Sequence, residues 1–154
     1  MTFRLVPLAL DTDPARLAHE LAPAFGGNEA PARELLEQTL TLLAGQPRPD
    51  PWGAYLAEAD GATIGTCAFK SAPNDKGEVE IAYMTVPAFE GRGYANAMVA
   101  ALTEIAEHAG VRPIAHTLRE ENASNQALRR NAYLFGGEVE DPEDGLVWRW
   151  ERPS

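Results

Sequence analysis

The chain is short of positive charge, of cysteine, of histidine and of long apolar runs, and each shortage argues against a class of function. Thirteen Lys and Arg stand against 23 Asp and Glu, a formal net charge of −10. Such a surface repels phosphate at long range, which argues against nucleic acid as the main partner and favours a cationic one. The single cysteine, Cys67, cannot close an internal disulfide. Its neighbours Thr66, Ala68 and Phe69 read as strand, so an inert core thiol is expected. The histidines, His19, His108 and His116, lack metal-ligand spacing, and no metal site is expected. Apolar runs are only a few residues long, and Met1 to Leu10 lacks the apolar core of a signal peptide. No membrane association and a cytoplasmic location are the resulting expectations.

What remains is ordinary globular composition, 45% hydrophobic and 23% charged over 154 residues, enough for one core and one domain over residues 1–154. Thr2 to Leu10 reads as a strand. Asp13-Pro14 opens a helical pattern with Leu17, Leu21 and Phe25 at four-residue spacing, ended by Gly26-Gly27. A second helix is predicted from about Pro31 to Ala44, with Leu36, Leu40 and Leu43 on one face, before the loop GQPRPDP. Three strands follow as a meander, Gly53 to Glu58, Thr63 to Ser71 and Glu78 to Val86. Tyr94 to Ala109 places Met98, Ala101, Leu102 and Ile105 at i, i+3, i+4, i+7, an amphipathic helix closed by Gly110. Then come a strand (Arg112 to Leu118), a helix (Ser124 to Leu134) and short strands around Glu138 to Glu140 and Leu146 to Glu151. The order describes an α/β fold with a mixed sheet and a helical crossover between its fourth and fifth strands.

The stretch VPAFEGRGYANAM carries the first chemistry. A strand feeding a Gly-x-Gly turn that opens a helix aims backbone N–H groups and the positive helix end at one spot, a site suited to phosphate. Gly91 and Gly93 allow close approach, Arg92 can add charge, and Asn96 can donate a side-chain hydrogen bond. A dinucleotide fingerprint would need a third glycine where Asn96 stands and a turn in the first βα unit; a nucleotide-triphosphate loop would need Gly-Lys-Ser/Thr, which does not occur. By itself the turn can equally be plain strand-to-helix punctuation.

The arrangement EIAYMTVPAFEGRGYA, then a helix, a strand and ENASNQALRRNAYLFGGEV, resembles the GNAT superfamily of acetyl-CoA-dependent N-acetyltransferases, nearest its ribosomal-protein N-terminal acetyltransferase branch. The resemblance covers Glu78 to about Trp150 in detail. It implies a central sheet splayed between strands four and five and flanked by about four helices. It also implies acetyl-CoA as acyl donor, with its pantetheine arm along Met84, Thr85 and Val86 and its pyrophosphate on Gly91, Arg92, Gly93, Tyr94, Ala95 and Asn96. The chain departs from the family at Glu90, where Gln or Arg is usual and where the carboxylate is expected to point away or cap the helix. It departs again at Glu121, where Asn122 is expected to stand in for an asparagine. The tyrosine many members use as general acid falls near Leu128 or Arg129, so that acid is missing from its usual place. Late-strand homodimers are common in the family and are an expectation here.

Acyl transfer to an amine needs a neutral nucleophile, and an alkyl amine has a pKa of about 10, so a base or water relay must take its proton. Alternation puts Glu78, Glu80, Ala82 and Met84 on one face of the fourth strand and Val79, Ile81, Tyr83 and Thr85 on the other. Glu80 matches the family's strand-four base, with Glu78 in reserve. Ser124 matches the serine thought to protonate the leaving thiolate in the ribosomal branch, although a serine ahead of a helix is also an ordinary N-cap. Tyr133 is an alternative donor at an otherwise apolar position, and His116 is either a cleft residue or an ordinary strand histidine. Trp52, Trp148 and Trp150 are candidates for lining the acceptor site, with core packing the competing reading. The expected function is acetyl transfer to a primary amine, a small molecule or a peptide amino terminus and cationic by the surface charge. The competing reading is a degenerate domain that binds acyl-CoA without turnover.

Overall fold

The computed structural model describes residues 2–8, 13–44, 51–120, 122–142 and 144–153. The end of the expected first strand, the loop over 45–50 and Glu121 lie outside the described residues, as do the side chains of Leu40 and Leu43. The strands are β1 (Phe3–Pro7), β2 (Ala54–Ala59), β3 (Ala62–Phe69), β4 (Glu78–Thr85), β5 (Arg112–Thr117), β6 (Leu134–Asp141) and β7 (Gly145–Glu151). The helices are α1 (Pro14–Leu21), α2 (Glu29–Ala44), α3 (Tyr94–His108) and α4 (Ala123–Arg130). One seven-stranded sheet runs β1-β2-β3-β4-β5-β7-β6, antiparallel throughout except for parallel β4 and β5. This is the mixed, mostly antiparallel α/β architecture expected from the element order.

Alternation sorts the two sheet faces. Cys67, Phe69, Val79, Ile81, Ala115 and Trp150 pack with Met98, Val99, Leu102 and Ala106 of α3 and with Ala127 and Leu128 of α4. Cys67 is buried there, and that burial pushes its thiol up to about 12, which makes it a poor nucleophile at neutral pH. On the opposite face α1 and α2 pack Ala18, Leu21, Ala32 and Leu36 over Leu56 of β2. Gly65 sits where β3 must approach both layers: a Cβ there would lie 2.3 Å from the Met84 carbonyl oxygen and 3.1 Å from the Met98 side chain. Any side chain at that position would push β4 away at Met84.

One expected boundary needs correction. The helix beginning near Ser124 ends at Arg130 and not at Leu134, which instead begins β6. Ala132 takes a left-handed φ of 64°, and Tyr133 N–H donates to the Leu128 carbonyl (3.0 Å) while Ala132 N–H donates to that of Arg129 (3.0 Å). This is a Schellman stop built on alanine, so the glycine that marks such stops in sequence is missing. For Trp52 and Trp150 the core-packing reading holds, and Trp148 is half-buried. Trp52 packs edge-on to Phe69 at 5.0 Å, Trp150 is buried, and Trp148 packs with Phe135.

A buried polar chain ties α4 to the sheet. Trp150 Nε1 donates to Thr117 Oγ1 (2.9 Å), which donates to Asn125 Oδ1 (2.5 Å), and Asn125 Nδ2 donates to the Glu120 carbonyl. Asn125 is fully buried.

Candidate active site

β4 and β5 pair over only three positions, Glu78 with Arg112, Val79 with Pro113 and Glu80 with Ile114. Beyond them the strands part. The Glu80 carbonyl accepts from Lys70 N–H (2.9 Å) and Val86 N–H donates to the Ile64 carbonyl (2.9 Å), so even-numbered residues of β4 spend their backbone groups on β3. Parity then turns the backbone groups of Ile81, Tyr83 and Thr85 toward the gap. Within the stretch expected to meet the pantetheine arm, Thr85 therefore offers main-chain groups. Met84 offers a side chain that lines the cavity, and Val86 is buried with its N–H already used.

The gap opens into a cavity of about 540 Å³. Its lining brings together Met84, Thr85, Gly91, Gly93, Tyr94, Ala95, Asn96 and Ser124 of the sequence-derived set. Gly93 caps α3 with φ 82° and no side-chain cap, and the first helical bond runs from Ala97 N–H to the Gly93 carbonyl. The N–H groups of Tyr94, Ala95 and Asn96 thus precede the first turn's bonds and remain for an outside acceptor. Asn96 Oδ1 accepts from Asn131 Nδ2 at 2.8 Å, tying the end of α4 to the start of α3.

Two residues of the turn behave differently from expectation. Arg92 lies 5.6 Å from the Phe89 ring centroid and does not line the cavity. Glu90 is exposed on the cavity wall and makes no side-chain cap to α3. Asn122 is the N-cap of α4, its Oδ1 accepting from Asn125 N–H at 3.0 Å, and it too lies off the cavity. Its capping leaves Ser124 inside the first turn, free of that duty.

Ser124 Oγ donates to the Tyr83 phenol oxygen at 3.1 Å, and that phenol donates to the Ser124 carbonyl at 3.2 Å. The pair bridges β4 and α4 across the gap. Burial pushes the Tyr83 phenol up to about 12, against the opposing pull of the Ser124 hydrogen bond. Tyr83 was legible only as one member of an alternating strand face; what marks it is the partner 41 residues away. Of Leu128 and Arg129, near which the resemblance put the missing tyrosine, Leu128 is fully buried and Arg129 lies over the Trp150 ring; Tyr133 is a core residue whose hydroxyl lies 2.6 Å from that of Thr103.

Glu80 stands on the other face. Its Oε2 lies 3.1 Å from Lys70 Nζ, and its Oε1 lies 3.4 Å from His116 Nδ1, which is also 3.2 Å from Asp141 Oδ2. Carboxylates only accept, so the imidazole hydrogen belongs on Nδ1, and His116 Nε2 is buried with no hydrogen-bond partner among the described residues. The three acidic and imidazole ligand atoms lie within 4.8 Å of one another, close enough to share a cation. Lys70 already brings a positive charge to Glu80. Glu78, the reserve base, is held as counter-ion to Arg149 at 2.8 Å. A second cavity of about 210 Å³, lined in part by Leu35, Gln38, Thr66, Ala82, Tyr83 and Met84, meets the first at Tyr83 and Met84.

Residues 4–133 match the model of the acetyltransferase (GNAT) domain. No curated protein matches the chain in sequence. Among solved structures, RimL, a ribosomal L7/L12 alpha-N-protein acetyltransferase in complex with coenzyme A, is 17% identical with a TM-score of 0.70 over 99% of this chain and 94% of that one. The acetyltransferase from Salmonella typhimurium that modifies the N-terminal serine of L7/L12 is 17% identical, TM-score 0.71, over 100% and 96%. The aminoglycoside acetyltransferase AAC(6')-Ib in complex with coenzyme A is 18% identical, TM-score 0.69, over 98% and 94%. With the family model spanning most of its length and the splayed sheet framing the glycine turn, the chain belongs to the GNAT family of acetyl-CoA-dependent N-acetyltransferases.

Proposed function

We propose that the protein transfers an acetyl group from acetyl-CoA directly to a primary amine, on a small molecule or a peptide amino terminus. One observation carries this reading: the cavity ending on the free α3 amides and the smaller cavity beside α2 meet at Tyr83 and Met84. The fit to the coenzyme rests on those amides, on a glycine turn without side chains in the way, and on the gap-facing main chain of Tyr83 and Thr85. Bound there, acetyl-CoA supplies a thioester whose acyl carbon is open to an amine. The amine's place is the α2 side, beside Ala82. Glu80 lies two residues away on the same face, about 7 Å along the strand, so it takes the amine's proton through one water. A cationic acceptor suits the net charge of −10.

Tyr83 and Ser124 face the leaving sulfur. Burial holds the Tyr83 phenol above an ordinary thiolate of pKa about 8.5, so full transfer of its proton to the sulfur runs uphill. Tyr83 therefore keeps its proton and turns that hydrogen from the Ser124 carbonyl to the developing thiolate, Ser124 Oγ goes on donating to the phenol oxygen and holds it in place, and the final sulfur proton comes from water. Tyr83→Phe is expected to lower kcat about tenfold, the worth of one hydrogen bond, without changing the coenzyme KM or the alkaline limb of the pH profile. Steady-state kinetics across pH measure this; a kcat within twofold of wild type removes Tyr83 from the chemistry.

A thiol-release assay over polyamines, aminoglycosides, simple alkylamines and N-terminal peptides tests the activity. Turnover with one class supports transfer. Coenzyme binding with no turnover in any class favours a binding-only domain, a reading motivated by Glu90 on the cavity wall.

A further inference from the structure

The coenzyme cavity has an electrostatic gap that the turn does not fill. Its lining carries one carboxylate, Glu90, and the turn's own arginine is drawn to Phe89. The only Lys or Arg among the described lining residues is Arg130, in the last turn of α4. Three features place it there. Ala123, Gln126, Ala127 and Arg130 fall on one helical face, and all four line the cavity. The next residue, Asn131, is bonded through Nδ2 to the side chain (2.8 Å) and carbonyl (3.3 Å) of Asn96, so the end of α4 is fastened beside the free amides of α3. The neighbouring Arg129 is turned away, 5.0 Å over the Trp150 ring. Arg130 itself is exposed and has no ion pair among the described residues.

We propose that Arg130, at the end of α4, supplies the positive charge that meets a coenzyme phosphate in this cavity. The inference rests on the acetyl-CoA reading above. An unpaired guanidinium beside free amides forms charge-assisted, bidentate bonds to a phosphate, whereas Glu90 opposes the same anion.

The test is calorimetric titration of coenzyme A and of dephospho-coenzyme A into the wild type, Arg130→Ala, and Arg130→Ala with Glu90→Gln. Arg130→Ala is expected to weaken coenzyme A binding about tenfold or more, with the melting temperature of the free protein unchanged because the side chain has no intramolecular partner. Glu90→Gln in that background is expected to recover part of the loss. If the loss is the same with dephospho-coenzyme A, the partner is the diphosphate; if it vanishes, the partner is the ribose 3′-phosphate. Either result supports the proposal. Wild type that binds while Arg130→Ala binds within twofold of it overturns this inference alone. Wild type that binds no coenzyme overturns the acetyl-CoA reading and this inference with it.

Discussion

Glu80→Gln is expected to lower kcat by about 10²- to 10⁴-fold while leaving coenzyme affinity within twofold of wild type. The asymmetry follows from where Glu80 sits. It lies on the α2-side face of β4, off the coenzyme cavity, bonded to Lys70 at 3.1 Å and near His116 at 3.4 Å. Glutamine keeps the shape and one acceptor oxygen for one of these two donors, but it cannot take a proton. The variant should therefore work only on amine that is already neutral. Its rate should climb about tenfold per pH unit toward the amine's own pKa of about 10.4, and the wild type should lose that dependence at lower pH. Rates over pH 6 to 10 in both proteins provide the check. A variant as fast as wild type would make Glu80 a counter-ion for Lys70 and nothing more. Lys70→Met serves as the comparison, because it removes that cation while leaving the carboxylate.

The second large effect is on stability. Asn125→Ala is expected to cost about 2–4 kcal/mol and lower the melting temperature by about 5–15 °C, read by thermal denaturation. The side chain is fully buried, and its loss strands the Thr117 hydroxyl, which has already accepted from Trp150 and has no other acceptor for its own hydrogen. Thr117→Val and Asn125→Ala should then be strongly non-additive, because either one breaks the same chain of bonds. Since Ser124 adjoins Asn125 in the chain, activity should fall with the position of α4 even below the melting transition. An Asn125→Ala protein as stable as wild type would mean that α4 is held by its apolar contacts alone.

Much of this architecture was legible because its signals are local. The alternation in β4 assigned its two faces, and the spacing of Met98, Leu102 and Ile105 located α3. The glycines on either side of Arg92 marked the anion turn, since positive φ at Gly91 and Gly93 is what the geometry uses. What escaped the sequence depends on partners far along the chain. Glu80 and His116 are 36 positions apart and meet only because β5 leaves β4 at the next residue. Tyr83 and Ser124 meet across the same gap. The overrun of α4 has a different cause: Ala132 performs a turn that glycine would have announced. Trp150, on one face of the last strand with Leu146 and Trp148, was open to two readings, acceptor wall and core packing. In the structure its indole N–H is spent on Thr117, inside the core.

The early parting of β4 and β5 gives a central strand the character of an edge. Along one strand, Ala82 and Met84 are bonded to β3 while Tyr83 and Thr85 turn their main-chain groups to the β5 side, where β4 has no paired strand residue past Glu80 among the described residues. Such bare edges ordinarily invite another chain to pair, and proteins blunt them with charge or cover. Here the edge lies inside the fold, between β4 and α4, with the Tyr83–Ser124 contact across its opening. An occupant of that gap would meet a row of unpaired main-chain groups and not a closed sheet.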